Sequence, residues 1–210
     1  MSNIILDFGS GNSSCNDRGI IREMYDELKA VDTGKHRIYI KWQLFEKAGD
    51  NIPLLPESFE YAYEYGTSLG YEVTSSVFDK NSLDFLLNFD VPFVKIANNR
   101  KLDWLIGFAP RNILVVVSYG SIEDLKTAPK ENIKRLLCVS EYPADILKYE
   151  AFDLEYYIKS GYGISDHTTD FTLFNKYHPD WIEMHYKLAD STGLDAGPFA
   201  KTAEQFAEIL

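Results

Sequence analysis

Two histidines in the C-terminal third of the chain lie at the ends of apolar runs. His167 follows the run Gly161–Ser165, and His185 lies in the run that begins at Trp181. If these runs are neighbouring parallel strands, about 5 Å apart, both imidazoles can reach one divalent metal ion, with water and substrate oxygens as its other ligands. The spacing leaves open a second interpretation, in which both rings are structural and are satisfied by hydrogen bonds.

Two lysines interrupt apolar runs in the first half of the chain. Lys41 follows Ile40, and Lys95 precedes Ile96. Burying an ammonium group in an apolar strand costs free energy unless an anion lies beside it. Two lysines with several hydroxyl groups at adjacent strand ends suit a ligand that carries a phosphate and a carboxylate. The other interpretation is that each lysine pairs with a nearby aspartate or glutamate.

Further polar side chains fall where the apolar runs end. In a parallel α/β barrel the chemistry is located where each strand ends and its following loop begins. The polar residues at these positions are Asp7, Lys41, Gln43, Ser75, Ser76, Asp79, Lys95, Asn98, Arg100, Ser118, Ser140, Glu141, Tyr142, Ser165, Asp166, His167, Glu183 and His185. Such a polar set in otherwise apolar segments predicts a binding or catalytic site there.

The elements that would position these residues are short apolar runs that recur along the chain. Most are continuous hydrophobic strings, which is typical of strands covered on both faces in a parallel sheet. The predicted strands are Ile4–Phe8, Arg37–Gln43, Tyr71–Val77, Phe93–Ala97, Ile113–Ser118, Arg135–Ser140, Gly161–Ser165 and Trp181–Leu188.

Segments with helical spacing alternate with these strands. They are Ile20–Ala30, Glu57–Leu69, Ser82–Phe89, Lys101–Phe108, Ser121–Leu125, Pro143–Tyr157 and Thr202–Leu210. Strand–helix alternation repeated eight times predicts a compact (β/α)8 TIM barrel, an α/β fold, as a single domain over residues 1–210. An open doubly wound sheet is the alternative.

Composition excludes several classes of partner. The chain has 210 residues and a formal net charge of −11, so its surface repels nucleic acid and anionic membranes. No apolar stretch approaches the roughly 18 residues of a membrane span. The N-terminus does not have the pattern of a signal peptide, and there are only two cysteines, Cys15 and Cys138. A cytoplasmic, reducing location is therefore expected.

Six motifs, in the same order along the chain, resemble those of the sialic acid (N-acetylneuraminate) synthase family. For example, Gly163–Thr168 is similar to the family's Gly-Tyr-Ser-Asp-His-Thr, and Ile182–Tyr186 to its Glu-Lys-His-Phe. The motif-bearing segments are Ile40–Phe45, Ser75–Asp79, Phe93–Ile96, Leu136–Pro143, Gly163–Thr168 and Ile182–Tyr186. The resemblance implies the barrel domain of that family.

The resemblance also implies an activity. The family condenses phosphoenolpyruvate with an aldose, such as N-acetylmannosamine or a related sugar, to a nonulosonic-type keto acid, and it releases phosphate. By position, His167 and His185 would hold the divalent metal, usually Mn, with Mg, Co, Fe or Zn as other possibilities. The residues placed around the phosphate and carboxylate are Lys41, Ser76, Lys95, Ser118, Ser140 and Ser165, with Glu183 also assigned to the substrate site. Those facing the sugar are Gln43, Tyr142 and Asp195.

The sequence departs from the family pattern mainly on the sugar side. Arg100 stands where a carboxylate is expected near the sugar, and Asp7 stands where the family has a strand-one glutamate that would act as acid, base or water-ordering group. The resemblance covers the barrel only, so we expect no counterpart of the family's antifreeze-like C-terminal domain, which lends an arginine to the partner subunit's sugar site. Arg100 could replace that arginine.

These departures leave two alternatives: a metal-binding barrel with a different sugar or aldol-type reaction, and a non-catalytic sugar-binding derivative. Relatives are commonly dimers, so a homodimer is a further expectation.

Overall fold

The computed structural model describes residues 1–46, 49–127 and 132–210. Eight parallel strands follow one another around a closed barrel, and the last pairs with the first. They are β1 (Asn3–Gly9), β2 (Arg37–Leu44), β3 (Glu72–Val77), β4 (Phe93–Ile96), β5 (Leu114–Tyr119), β6 (Ile133–Cys138), β7 (Gly163–Asp166) and β8 (Trp181–His185). The predicted barrel is thus confirmed, and each strand overlaps the predicted run.

Helices and shorter turns connect the strands on the outside. The α-helices are α1 (Gly11–Ser14), α2 (Arg18–Val31), α3 (Pro56–Ser68), α4 (Lys80–Leu86), α5 (Ile122–Thr127), α6 (Ile146–Glu150), α7 (Leu154–Lys159), α8 (Thr172–Tyr177) and α9 (Ala203–Phe206). Two 3-10 helices span Arg100–Phe108 and Leu194–Ala196. No helix in this described part of the chain is long and apolar enough to cross a bilayer.

The helical predictions needed four corrections. The segment 143–157 is two helices, because the side chain of Asp153 accepts a hydrogen bond from the Tyr156 amide and begins α7 as a new N-cap. The segment 101–108 is a 3-10 helix, and α9 ends at Phe206 rather than Leu210. Finally, the short helices α1 and α8 were not predicted, since four and six residues are too few for the apolar period to show.

Alternation along the strands places a polar layer above an apolar layer inside the barrel. Ile5, Tyr39 and Phe93 belong to a buried cluster with Val116 and Leu136. Because successive side chains of a strand face opposite sides, the residue two positions later in each strand also points inward. Those residues are Asp7, Lys41, Lys95, Ser118 and Cys138. The apolar cluster therefore forms a floor beneath the polar end.

Candidate active site

A cavity of about 680 Å³ opens at the carboxyl ends of the strands. All of the residues that the family resemblance assigns to the site, except Arg100, line this cavity. They are Asp7, Lys41, Gln43, Ser76, Lys95, Ser118, Ser140, Tyr142, Ser165, His167, Glu183, His185 and Asp195. Side chains from all eight strands or the loops that follow them thus meet at one place.

Four charged side chains form the bottom of the cavity, and we call Asp7, Lys41, Lys95 and Glu183 the charged floor. The ammonium of Lys41 lies 2.6 Å from Asp7 Oδ2 and 3.0 Å from Glu183 Oε1. Lys95 Nζ lies 3.4 Å from Glu183 Oε2. Each of the four residues is at most 4% exposed. Glu183 thus bridges the two lysines, which is the pairing with protein carboxylates that the sequence left open as an alternative.

Serine hydroxyls and an amide complete the hydrogen bonding of the charged floor. Lys41 donates to Ser76 Oγ at 2.9 Å, and Lys95 donates to Ser118 Oγ at 2.8 Å. Ser165 donates to Glu183 Oε2 at 2.8 Å, and Gln43 Nε2 donates to Asp7 Oδ2 at 2.9 Å. Hydroxyls that already accept from ammonium groups keep a proton to donate, so the layer can present O–H and N–H donors to an anion.

Burial disfavours the charged form of both lysines, but the pKa of one is raised and the pKa of the other is lowered. For Lys41 the carboxylates of Asp7 and Glu183 outweigh burial, so the pKa of the ammonium is raised. For Lys95 burial dominates over the attraction of Glu183, and the pKa is lowered. Burial alone would raise the pKa of Glu183, yet the two lysines lower it. An added anion would therefore stabilise protonated Lys95 most.

Four rings in mutual contact lie above the floor, and we call Tyr142, His167, His185 and Phe199 the aromatic rim. The Tyr142 and His167 ring centroids are 4.2 Å apart, and those of His185 and Phe199 are 4.9 Å apart. Tyr142 is 54% exposed, in contrast to the floor. Tyr142 therefore meets solvent at the mouth of the cavity, whereas His167, His185 and Phe199 are buried.

His167 is held in one tautomer. Its Nδ1 lies 2.7 Å from the carbonyl oxygen of Val139, which can only accept, so Nδ1 carries the proton and Nε2 keeps a lone pair. Burial, and next the neighbouring His185, lower the pKa of the ring to about 4. A neutral imidazole whose other nitrogen donates to a carbonyl is the usual state of a metal-binding histidine.

His185 is the second candidate ligand. Its Nδ1 is buried without a hydrogen-bond partner and lies 3.6 Å from Asp7 Oδ2. Burial lowers the pKa of this ring, although Asp7 opposes the effect. The His167 and His185 centroids are 5.3 Å apart. Two neutral imidazoles, one with an unsatisfied buried nitrogen, fit a divalent metal ion whose other ligands are water and substrate.

A complete protein ligand set is not present. Within residues 1–46, 49–127 and 132–210, no group of three or more His, Cys, Asp or Glu side chains is arranged to hold a metal ion. The two histidines would therefore leave the other positions on the metal to water and substrate oxygens.

Asp195 lies on the side of the cavity lined by the loop after β8. Its Oδ2 accepts from Ser10 Oγ at 3.3 Å and from Ser13 Oγ at 3.2 Å. Burial and the nearby Asp7 carboxylate raise its pKa. This side of the cavity thus carries a carboxyl group held by hydroxyls.

Arg100 does not reach the cavity. Its guanidinium donates to the Ser118 carbonyl oxygen at 2.6 Å, lies 3.0 Å from Asp103 and stands over the Tyr119 ring at 4.2 Å. Since Tyr119 alternates with the inward Ser118 on β5, the guanidinium packs outside the strand. The structure therefore places this residue apart from the other predicted site residues.

Several cavity residues were not predicted. Phe199 lies in an irregular segment between the second 3-10 helix and α9, where no periodic pattern marks it. Asn98 donates to Ser140 Oγ at 2.8 Å and was noted at a strand end but not assigned. Cys138, noted in the sequence only as one of the two cysteines, also lines the cavity, and burial raises the pKa of its thiol to about 11. Period-two alternation from Leu136 could have found it.

Sequence comparison adds a family match. The profile of the NeuB family matches residues 41–210, a range that includes every predicted site residue except Asp7. The N-acetylneuraminate-9-phosphate synthase of Drosophila melanogaster is 34% identical over 90 residues, which cover 37% of this chain and 24% of that protein. The match thus spans about a quarter of the length of this relative.

Solved structures share the fold. The N-acetylneuraminic acid (sialic acid) synthetase of Leptospira borgpetersenii has a TM-score of 0.78 at 22% identity, over 98% of this chain and 80% of that one. A putative spore coat polysaccharide biosynthesis protein E of Chromobacterium violaceum has a TM-score of 0.82 at 17% identity, over 99% and 72%. At these identities the likeness concerns the barrel architecture.

Proposed function

Because this chain belongs to the NeuB family, we propose that it is a synthase that condenses phosphoenolpyruvate with an aldose to a nonulosonic-type keto acid and releases phosphate. The observation that carries this proposal is the charged floor with its serine hydroxyls, located directly below two neutral histidines. The names of the fly and Leptospira relatives agree with it. An amino sugar such as N-acetylmannosamine is the proposed acceptor type.

The charged floor would bind phosphoenolpyruvate. Lys41 and Lys95 supply positive charge, and Ser76 and Ser118 supply hydroxyl donors within 3 Å of these ammonium groups. The Ser165 hydroxyl donates to Glu183 and would have to turn away from that carboxylate to donate to the ligand. Such preorganised donors stabilise the phosphate and carboxylate throughout the reaction without reorganising. Ser140, which accepts from Asn98, extends this donor set towards the rim.

The proposed reaction forms one carbon–carbon bond and breaks one carbon–oxygen bond. The C3 carbon of phosphoenolpyruvate attacks the aldehyde carbon of the open-chain sugar, and the aldehyde oxygen takes up a proton to become a hydroxyl. Positive charge develops at C2, where a water oxygen adds and loses one proton. The bond from C2 to the phosphate ester oxygen then breaks. The C2 hydroxyl becomes the keto oxygen, and its proton leaves with the phosphate.

Asp7 is the proposed group that orders the water and accepts its proton. Its Oδ2 receives hydrogen bonds from Lys41 and Gln43, while Oδ1 accepts from the Gly9 amide at 3.0 Å. These contacts fix the carboxylate at the junction of floor and rim. Gln43, Tyr142 and Asp195 would contact the hydroxyl and amide groups of the sugar.

His167 and His185 would hold a divalent metal, with Mn the preferred candidate. The chemistry that such an ion supplies when bound is polarisation of the aldehyde carbonyl. Tyr142 packs against His167 and Phe199 packs against His185, so these two rings would shield one side of that carbonyl from bulk water. A desolvated site strengthens each of these electrostatic contacts.

One experiment tests the proposal. The protein is incubated with phosphoenolpyruvate, Mn²⁺ and a panel of aldoses, and phosphate release is followed. Release that requires a sugar, with a keto acid of matching mass, is the expected result. No release with any sugar would contradict the synthase reaction. Consumption of sugar without phosphate release would indicate an aldol-type reaction instead.

A further inference from the structure

Lys201 is a buried cation that lies outside the cavity lining and is not used in the proposed reaction. The residue is 1% exposed, and lysine is almost never fully buried without partners. It lies between the second 3-10 helix and α9. The burial of this ammonium group must be offset by contacts with polar groups of the protein.

The backbone of Lys201 extends the sheet beyond the end of β8. Its amide donates to the His185 carbonyl oxygen at 3.0 Å, and the Lys187 amide donates to the Lys201 carbonyl oxygen at 3.0 Å. These bonds form a parallel bridge between Tyr186 and Lys201. The main chain at His185 is therefore held on this side by Lys201.

The side chain of Lys201 reaches the other histidine. Its Nζ donates to the Thr168 carbonyl oxygen at 2.9 Å, and Thr168 directly follows His167. A longer bond of 3.4 Å goes to the carbonyl oxygen of Phe199, whose ring contacts His185. One residue thus joins the segments that carry both histidines.

Asp166 supplies the compensating charge. It is fully buried, its Oδ1 accepts from the Thr168 amide at 2.8 Å, and its Oδ2 has no hydrogen-bond partner. Burial lowers the pKa of the Lys201 ammonium, although attraction to the Asp166 and Asp170 carboxylates favours its charged form. Two hydrogen bonds therefore hold the turn Asp166–Thr168: one from the Thr168 amide to the Asp166 carboxylate, and one from Lys201 to the Thr168 carbonyl oxygen.

We propose that Lys201 is a positioning residue that fixes the His167 and His185 rings relative to each other for a divalent metal ion. The proposal rests on the metal site of the proposed function and adds to it the residue that preorganises the site. Groups that orient metal ligands typically change metal affinity 10- to 100-fold when they are removed.

Mn²⁺ binding alone tests this role. Affinity is measured by titration calorimetry for the wild type and for Lys201→Met, Lys201→Arg and Lys201→Gln, and Co²⁺ absorption spectra report the ligand geometry. The matched control is Lys134→Met, because Lys134 Nζ donates to the Gly161 carbonyl oxygen at 2.7 Å, near the N-terminal ends of the strands. Thermal unfolding of the metal-free proteins separates loss of affinity from loss of fold.

The expected result is an affinity loss of about 10- to 100-fold for Lys201→Met, with an altered Co²⁺ spectrum. Lys201→Arg should recover most of the affinity, and Lys134→Met should bind as the wild type does. Wild-type affinity in Lys201→Met, or an equal loss in Lys134→Met, would overturn the proposal. If Lys201→Met does not fold, wild-type affinity in Lys201→Gln would overturn it. A wild-type protein that binds no Mn²⁺ would overturn the proposed metal site itself. Phosphate release tests the synthase reaction separately, so the two failures can be told apart.

Discussion

The charged floor and the aromatic rim are built in different ways. The floor residues Asp7, Lys41, Lys95 and Glu183 all belong to strands, and hydrogen bonds between neighbouring strands fix their relative heights. In the rim, only His185 is a strand residue, and Tyr142, His167 and Phe199 lie in loops. The floor is therefore the more rigid part of the cavity, while the rim depends on contacts between loops.

The two regions also differ in charge. Among the described residues that line the cavity, the lysine and arginine side chains are Lys41 and Lys95, and both belong to the floor. The opposite wall carries Asp195. An anionic substrate group is thus expected at the floor and a neutral one towards the rim.

The largest expected effect comes from Lys41→Met. This change removes the cation between Asp7 and Glu183 and leaves two buried carboxylates without their main partner. We expect kcat/KM for phosphoenolpyruvate to fall by about 10²–10³-fold, as when one preorganised donor is lost. Stability should fall by about 3–5 kcal/mol. Phosphate-release kinetics and thermal unfolding measure these effects.

The control for this variant is Lys134→Met, far from the cavity, which should keep wild-type kinetics. If Lys41→Met retains activity within tenfold of the wild type, the floor is not the anion site.

Glu183→Gln should have an effect of opposite sign on anion binding. Glu183 is the internal counter-ion of both lysines, so it competes with any bound phosphate. Removing its charge should tighten the binding of inorganic phosphate about tenfold while turnover falls, because attraction between close charges is strong in a buried site. Titration calorimetry measures the affinity.

Glu155→Gln is the matched control, since Glu155 pairs with Lys159 on the exposed surface of α7. It should leave phosphate affinity unchanged. Weaker phosphate binding by Glu183→Gln would mean that Glu183 holds the lysines in place more than it competes with the anion.

The difference between floor and rim also explains which site residues could be predicted from the sequence and which could not. Lys41, Lys95 and Glu183 were predictable because period-two alternation in a parallel strand fixes which residues face inward. Phe199 was missed and Arg100 was assigned to the sugar side, because neither residue lies in a strand and the period of two does not apply to them. The direction of Arg100 depends on Tyr119 and Asp103, which only the folded chain brings to it. The break between α6 and α7 was likewise hidden within one apolar pattern.

An acceptor that carries its own phosphate tests the rim directly. A second phosphate placed towards Asp195 would meet negative charge and neither lysine of the floor. We expect kcat/KM to be at least about tenfold higher for a neutral aldose than for the same sugar phosphorylated at its far end. The preference should shrink at high salt, where the interaction is screened. Asp195→Asn should reduce this preference too, whereas a preference for the phosphorylated sugar would contradict the negative charge assigned to the Asp195 side of the cavity.

The smallest effect is expected for Arg100→Met. Because the guanidinium packs on Tyr119 and pairs with Asp103 outside the strand, its loss should leave KM for the sugar within about twofold of the wild type. Stability should fall by about 1 kcal/mol, the range of a partly exposed cation–π contact with one ion pair. Steady-state kinetics and denaturant unfolding measure the two effects in the same preparations. A rise of more than tenfold in KM for the sugar without loss of stability would contradict this placement. It would mean that Arg100 contacts the sugar, as the sequence predicted, and that a cation lies near the rim as well as in the floor.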